Sequence, residues 1–193
     1  MLLLVAGLVI FLGVHSVRIF AEQWRGAQIA KLGLGAYKGI YSIVSALGLA
    51  LIVLGYGQAR TTPVLLWDPP LWLRHFSALL MLFAFVLLVA AYVPRNHIKA
   101  ALKHPMLLGV KIWAAGHLLA NGHVEDLLLF GGFLLWAVLD YRAARGRDRI
   151  HGRVDARGTL VSDVATIVIG AAAWGVFALY LHAWLIGVRA FVT

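Results

Sequence analysis

The chain has 193 residues, of which 62% are hydrophobic, and it carries a net charge of +9 with no cysteine. This apolar content excludes an ordinary soluble domain, and the lack of cysteine excludes a disulfide framework, a thiolate nucleophile and a cysteine-ligated metal cluster. The sequence has no basic stripe with interleaved aromatic residues, so no nucleic-acid partner is expected. Basic loops beside a membrane account for the positive charge instead.

Six apolar segments, each a candidate transmembrane helix, follow one another along the chain. They cover about residues 2–20, 38–57, 71–92, 105–121, 124–141 and 161–187. Apolar spans fold as helices because the bilayer core holds no water to satisfy backbone polar groups. The first segment has no basic start and no cleavage site of a signal peptide, so we expect a retained helix. The sequence therefore predicts a single all-α domain over residues 1–193, a polytopic membrane bundle of about six helices in contact with the lipid bilayer.

The charged residues alternate from loop to loop and predict the orientation of this bundle. The basic residues of loops one, three and five are Arg18, Arg25, Lys31 and Lys38, then Arg95, Lys99 and Lys103, then Arg142, Arg145, Arg147, Arg149, Arg153 and Arg157. Loop two is mixed, and loop four carries only Glu125 and Asp126. Since cytoplasmic loops are enriched in lysine and arginine, we expect the odd loops in the cytoplasm and both termini outside it.

Ionisable side chains inside the apolar segments are the candidate functional residues, because hydrocarbon makes them costly. They are His15, His75, Lys111, His117 and His182. His75 and His182 lie near outer ends of their segments, where interfacial placement explains them. Lys111 either extends along its helix to the cytoplasmic surface or binds an anionic group of a ligand.

His15 and His117 are harder to explain as interfacial residues. His15 follows an unbroken apolar run, and His117 follows Ala114, Ala115 and Gly116, whose small side chains let a helix or a flat ligand approach. Neutral imidazole is a good ligand for iron, and histidines from two helices can hold a haem between them. Each histidine could equally donate one hydrogen bond to a neighbouring helix. The residues alone leave both interpretations open.

The segments around these histidines resemble the NnrU family, small bacterial membrane proteins associated with denitrification gene clusters. The resemblance is carried by Phe11-Leu12-Gly13-Val14-His15-Ser16, by Tyr37-Lys38-Gly39-Ile40-Tyr41-Ser42, by His104-Pro105-Met106-Leu107-Leu108-Gly109-Val110-Lys111-Ile112-Trp113 running on to His117-Leu118-Leu119-Ala120-Asn121-Gly122, and by Trp136-Ala137-Val138-Leu139-Asp140. It covers roughly residues 5–145. It implies a multi-pass protein of the bacterial inner membrane that acts in nitrite or nitric oxide metabolism, with a redox partner or a denitrification enzyme as its partner.

The same pattern is similar to that of the 15-cis-zeta-carotene isomerase family, whose members hold haem b between two histidines. This resemblance implies haem b here, with His15 and His117 as the iron ligands. Ala114 stands where the isomerases have a cysteine implicated in ligand switching, which counts against isomerase activity.

Further residues are expected to contact the haem if it binds. Arg18, one turn from His15, and Lys111 are candidates to bind the propionates. The motif residues Trp113 and Asn121 complete the expected cofactor-binding set.

The depths of the histidines in the membrane point to a second candidate ligand. In the predicted topology His15 and His117 differ in depth by about 12 Å at 1.5 Å per residue. Two imidazoles on one iron need nitrogens about 4 Å apart, given metal–nitrogen bonds near 2 Å. His104 begins the fourth span on the cytoplasmic side, so it is the second choice of ligand beside His15. Its alternative is a helix-start residue exposed to lipid headgroups, with Pro105 in the first turn.

Three functions follow from these patterns. The first is a haem b membrane protein in nitrite or nitric oxide metabolism, with a role in redox chemistry or gas sensing. The second is a haem-dependent isomerase of a polyene or another lipid-soluble substrate. The third is a membrane assembly partner that binds no cofactor.

Overall fold

The computed structural model describes residues 1–152 and 157–191 as a bundle of helices. The helices are α1 (Leu2–Phe20), α2 (Glu22–Leu32), α3 (Leu34–Ala59), α4 (Leu71–Ala90), α5 (His97–Leu102), α6 (Pro105–Ala120), α7 (Val124–His151), α8 (Leu160–Val176) and α9 (His182–Ile186), the last two joined by a π-helical turn at Phe177–Leu181. Arg153, counted above in loop five, lies outside the described residues.

Five helical segments are long and apolar enough to cross a membrane: α1, α3, α4, α7 and the continuous run Leu160–Ile186. The sixth apolar helix, α6, has 16 residues. It is therefore about 24 Å long, slightly less than a hydrocarbon core of about 30 Å. These helices confirm the predicted all-α bundle, and the chain is a multi-pass membrane protein.

Loop one contains a helix that the apolar pattern did not predict. Helix α2 begins at Glu22, whose carboxylate lies 2.9 Å from Nη1 of Arg25, and it buries none of its residues. It ends before Gly33, which has a φ of 80° that glycine adopts without strain. Trp24 on this helix is 55% exposed. A search for uninterrupted apolar runs misses a helix of this kind.

Helix α7 is longer than predicted, since the expected end at residue 141 is wrong by ten residues. Alanine and arginine, both good helix formers, make up six of the ten residues of the extension. Two polar contacts also hold it: Asp148 Oδ2 lies 2.8 Å from His104 Nε2, and Arg147 lies 3.4 Å from Asp140. The last turns of α7 therefore form one wall of the basic end of the bundle.

The odd and even loops lie at opposite ends of the bundle, as the charge pattern predicted. At the end that we call the basic end, Arg147 donates to the backbone oxygen of Arg18 and His97 contacts Asp163. At the opposite end, the backbone of loop two bonds to Gly122 in the turn between α6 and α7. That three-residue turn, 121–123, is the predicted one. Both ends of the described chain lie at this opposite end, since Arg60 donates to Ile186 and α1 starts beside the end of α3.

Helices α1 and α3 pack through glycines at close range. A Cβ on Gly7 would lie 2.6 Å from the backbone nitrogen of Ile52, and one on Gly48 would lie 2.8 Å from that of Phe11. A Cβ on Gly55 would overlap the backbone of Leu4. Small residues allow this approach, which replaces the hydrophobic effect as the source of helix association in lipid. The pair holds His15, on α1, in a fixed position against α7.

Candidate functional site

His15 lies on α1 among aromatic rings from three helices. Its ring stacks on Phe11 with a centroid distance of 4.2 Å and lies near Tyr41 and Trp136, at 5.2 and 5.9 Å. Its Nδ1 lies 2.7 Å from the backbone oxygen of Phe11. A carbonyl oxygen only accepts, so Nδ1 carries the proton and the neutral ring keeps its lone pair on Nε2. This is the tautomer that a metal-ligating histidine adopts when its other nitrogen is hydrogen-bonded.

His117 lies on α6 in the same local arrangement. Its Nδ1 donates to the backbone oxygen of Trp113 at 2.9 Å, four residues earlier, so its Nε2 also carries the lone pair. Its ring stacks on Phe130 with a centroid distance of 4.5 Å. Both predicted iron ligands are therefore held by their own helix backbone in a form that can bind a metal.

Aromatic rings separate the two histidines. Phe11 contacts Phe133, and Phe133 contacts Trp113, with centroid distances of 5.7 and 5.5 Å, so these rings lead from His15 to His117. The two histidines also lie at different depths along the bundle. His117 contacts Phe130 of α7, and His15 contacts Trp136 six residues further along, an axial distance of about 9 Å. Coordination of one iron by both histidines would thus require these rings to move.

A cavity of about 970 Å³ opens beside His15 at the basic end. His104 and Trp136 also line it, whereas His117 does not. Its lining is otherwise of two kinds: apolar and aromatic side chains toward the bundle, and charged side chains toward the basic end. The charged residues are Arg18, Arg25, Lys38, Lys99, Lys103, Asp140, Arg147 and Asp148. The cavity can therefore take a ligand with an apolar body and a negatively charged edge.

The other residues predicted to bind a cofactor are found in different places. Arg18 lines the cavity. Lys111 does not, since its Nζ lies 3.8 Å from the centre of the Tyr141 ring, a cation–π contact toward the basic end. Trp113 is one of the rings between the two histidines. Asn121 caps α6 by donating to the backbone oxygen of His117, so its contact is with the helix.

His104 is not the headgroup-exposed residue of the plain interpretation. It does begin α6, with Pro105 in the first turn. Its side chain, however, is only 18% exposed, and its Nε2 lies 2.8 Å from Asp148. The carboxylate at the end of α7 holds the imidazole inside the basic end. His104 therefore shares a cavity with His15 but has its Nε2 already engaged.

Most residues that line the cavity were not predicted as site residues, among them Lys38, Tyr41, Trp136 and Asp140. The four-residue spacing of Trp136 and Asp140 predicts that their side chains share one face of α7. The sequence does not show which face of α7 packs against α1.

Within the described residues, no group of three or more histidine, cysteine, aspartate or glutamate side chains could hold a bare metal ion. A haem needs only two axial protein ligands because the macrocycle supplies the other four. The histidines above are thus compatible with haem and not with a multi-ligand metal site.

A buried hydrogen bond at the opposite end fixes α3 to α7. The hydroxyl of Tyr56 donates to Asp126 at 2.5 Å, and Asp126 is 4% exposed. Removing the hydroxyl in Tyr56→Phe deprives a buried carboxylate of a donor, so we expect a loss of about 1–3 kcal/mol in unfolding free energy. Tyr92→Phe, at an exposed ring, should change it by less than about 0.5 kcal/mol. Unfolding of the purified protein in detergent measures both, and equal effects would show that the bond adds nothing.

One of three comparisons with known proteins found a match, and it agrees with the family that the motifs predict. The model of one protein family, described as NnrU protein, matches residues 3–190. No curated protein and no solved structure matches the chain. The similarity to the carotene isomerases therefore stays a prediction from the motifs.

Proposed function

The chain belongs to the NnrU family, and from this premise we propose that it is a haem b protein of the bacterial inner membrane with His15 as an iron ligand. Its basic end would face the cytoplasm, as the positive-inside rule requires. The observation that carries the proposal is His15 itself. Its Nδ1 is tied to Phe11, its Nε2 keeps a lone pair, and it lines a large cavity.

The residues around His15 fit haem b. Tyr41 and Trp136 offer flat aromatic faces, and the cations of the basic end suit two propionates. Of the predicted propionate partners, Arg18 lies in the right place and Lys111 is engaged by Tyr141. Haem would supply one-electron chemistry and an affinity for diatomic gases.

Two histidines compete for the second ligand position. The resemblance to the carotene isomerases favours His117, whose Nε2 carries a lone pair but which lies beyond Phe133 and Trp113. His104 lines the same cavity as His15, but its Nε2 contacts Asp148. We propose His117 before His104 as the second ligand. The Nε2 of His117 is free, so only side chains have to move for it to reach the iron.

The role that fits two histidine ligands is electron transfer or gas sensing in nitrite or nitric oxide metabolism. Iron with two axial protein ligands has no open site for a substrate unless one ligand leaves. A redox partner or a denitrification enzyme would then exchange electrons or signals with this protein. Isomerase chemistry has less support, because the fully buried Ala114 offers only a methyl group where the isomerases have a cysteine.

The second ligand can be identified by comparing His117→Ala with His104→Ala. We expect the haem of His117→Ala to become high-spin, which broadens the reduced α band, while His104→Ala keeps the spectrum of the wild type. Electron paramagnetic resonance of the oxidised proteins reports the same change independently. The opposite pattern would assign the second ligand to His104, and two unchanged spectra would remove both histidines as ligands.

A cofactor-free role in membrane assembly is the second candidate. It is favoured by Phe11, Phe133 and Trp113, which already fill the space between the two predicted ligands. In that case the two histidines serve packing, and protein purified from haem-supplied cells would have no Soret band.

A further inference from the structure

We infer that the cavity at the basic end binds the anionic head of an amphiphile that reaches it from the bilayer, between α3 and α6. The ligand class is an apolar body with carboxylate or phosphate groups at one end. No iron is needed for this binding, so the inference goes beyond the proposed haem ligation and is tested apart from it.

The charge of the cavity is the first argument. Six cationic and two acidic side chains line it among the described residues. Several of the cations already have partners: Arg25 pairs with Glu22, Arg147 with Asp140, and Lys99 donates to a backbone oxygen.

Two of the cations that line the cavity belong to no such pair. The side chains of Arg18 and Lys38 make no hydrogen bond or ion pair with any described residue. They come from different helices, α1 and α3, and line one cavity. An anion in this cavity therefore meets cations that no other described side chain neutralises.

The opening of the cavity is the second argument. Helices α3 and α6 do not pack against each other, whereas α1 packs on α3 and α7 packs on both α1 and α6. The gap between α3 and α6 therefore has α1 and α7 behind it. Leu34 and Met106 line the cavity and are 51% and 37% exposed. An opening with exposed apolar side chains beside the charged Lys38 matches a molecule that lies at the membrane interface.

The aromatic side chains that line the cavity are the third argument. Trp136, on α7, is one of them. Tyr41, on the facing helix α3, adds an aromatic wall for the apolar body.

The general basicity of cytoplasmic loops is the competing explanation, and a matched variant separates it. Lys31 lies on α2 at the same end of the bundle, is exposed, and does not line the cavity. Lys31→Glu and Lys38→Glu change the net charge equally. The two substitutions should therefore differ in their effect on binding only if the anion binds at a defined site.

The first arm of the experiment uses iron-free protoporphyrin IX and its dimethyl ester, titrated against the purified full-length protein and followed by porphyrin fluorescence. The second arm counts retained phosphatidylglycerol and phosphatidylcholine by native mass spectrometry. Binding of the free diacid with at least about tenfold preference over the ester identifies a porphyrin carboxylate as the anion, a difference of about 1.4 kcal/mol. Selective retention of phosphatidylglycerol identifies a lipid phosphate, and either result supports the inference.

The variants decide whether the binding is at this cavity. Arg18→Glu and Lys38→Glu should each weaken the preferred anionic probe at least about tenfold, and Lys31→Glu by less than about twofold. Circular dichroism and gel filtration establish folding, and if a charge-reversed variant fails to fold, the glutamine variants of Arg18, Lys38 and Lys31 are compared instead. Equal losses in Lys31→Glu and Lys38→Glu would overturn the inference. So would an ester that binds as tightly as the diacid together with no preference for phosphatidylglycerol. A protein that binds protoporphyrin but never haem would refute iron ligation and leave this inference intact.

Discussion

Gly55→Ala should lower the unfolding free energy by about 3 kcal/mol, while Gly57→Ala, two residues along the same helix, should leave it unchanged or raise it. A Cβ on Gly55 would overlap the backbone nitrogen of Leu4 and the backbone carbon of Leu3. Backbone atoms cannot rotate aside as a flexible side chain can, so α1 and α3 must separate. A Cβ on Gly57 meets nothing within 4 Å. There alanine adds only helix propensity, worth up to about 1 kcal/mol.

Unfolding of the two variants in a detergent titration measures this pair of predictions. The opposite signs make the test independent of any general effect of alanine in a membrane helix. Similar midpoints for both variants would mean that the close approach of α1 and α3 is not what holds them together. Haem content measured on the same samples also shows whether the position of His15 depends on that packing.

His15→Ala should reduce the haem content of the purified protein at least tenfold, which corresponds to about 1.4 kcal/mol or more of binding free energy. The substitution removes an imidazole that lines the cavity and leaves Phe11 without its stacking partner. Adding free imidazole should restore part of the haem binding, because it can occupy the space left by the side chain. A purely structural role for His15 predicts no such rescue.

His182→Ala is the matched control for His15→Ala. This histidine also lies in an apolar segment, but its Nδ1 donates to the backbone oxygen of Val188 and it does not line the cavity. It should retain haem to within about twofold. Equal losses in the two variants would attribute the effect on His15 to folding and not to iron ligation.

The helical architecture could be predicted from the sequence, because a chain that crosses a lipid bilayer must be apolar and helical in its spans. Continuous apolar runs predicted the six spans, and the alternation of basic loops predicted which loops share an end. The contacts of Arg147 with Arg18 and of loop two with Gly122 agree with that alternation. Apolar runs do not predict polar helices. Both α2 and the last ten residues of α7 are rich in helix formers but contain no apolar run.

The candidate site was only partly accessible. A histidine inside an apolar run draws attention because hydrocarbon makes it costly, and this is how His15 and His117 were found. The rings between them were not foreseen, because the contacts of Phe133 with Phe11 and Trp113 depend on the relative rotation of three helices. Helix arithmetic did predict a difference in depth of about 12 Å, and the six-residue spacing of their contacts on α7 corresponds to about 9 Å. The partner of His104 was also missed, since Asp148 lies 44 residues away in the chain.

The measurement that tests haem binding most directly is the absorption spectrum of the wild-type protein purified in mild detergent from haem-supplied cells, oxidised and dithionite-reduced. Total haem is determined against protein in the same sample. Haem ligation by His15 and a second histidine predicts about one haem b per chain and a sharp, low-spin reduced α band. A protein that is folded and monodisperse but has no Soret band would contradict it, and would leave the cofactor-free role as the function of this bundle.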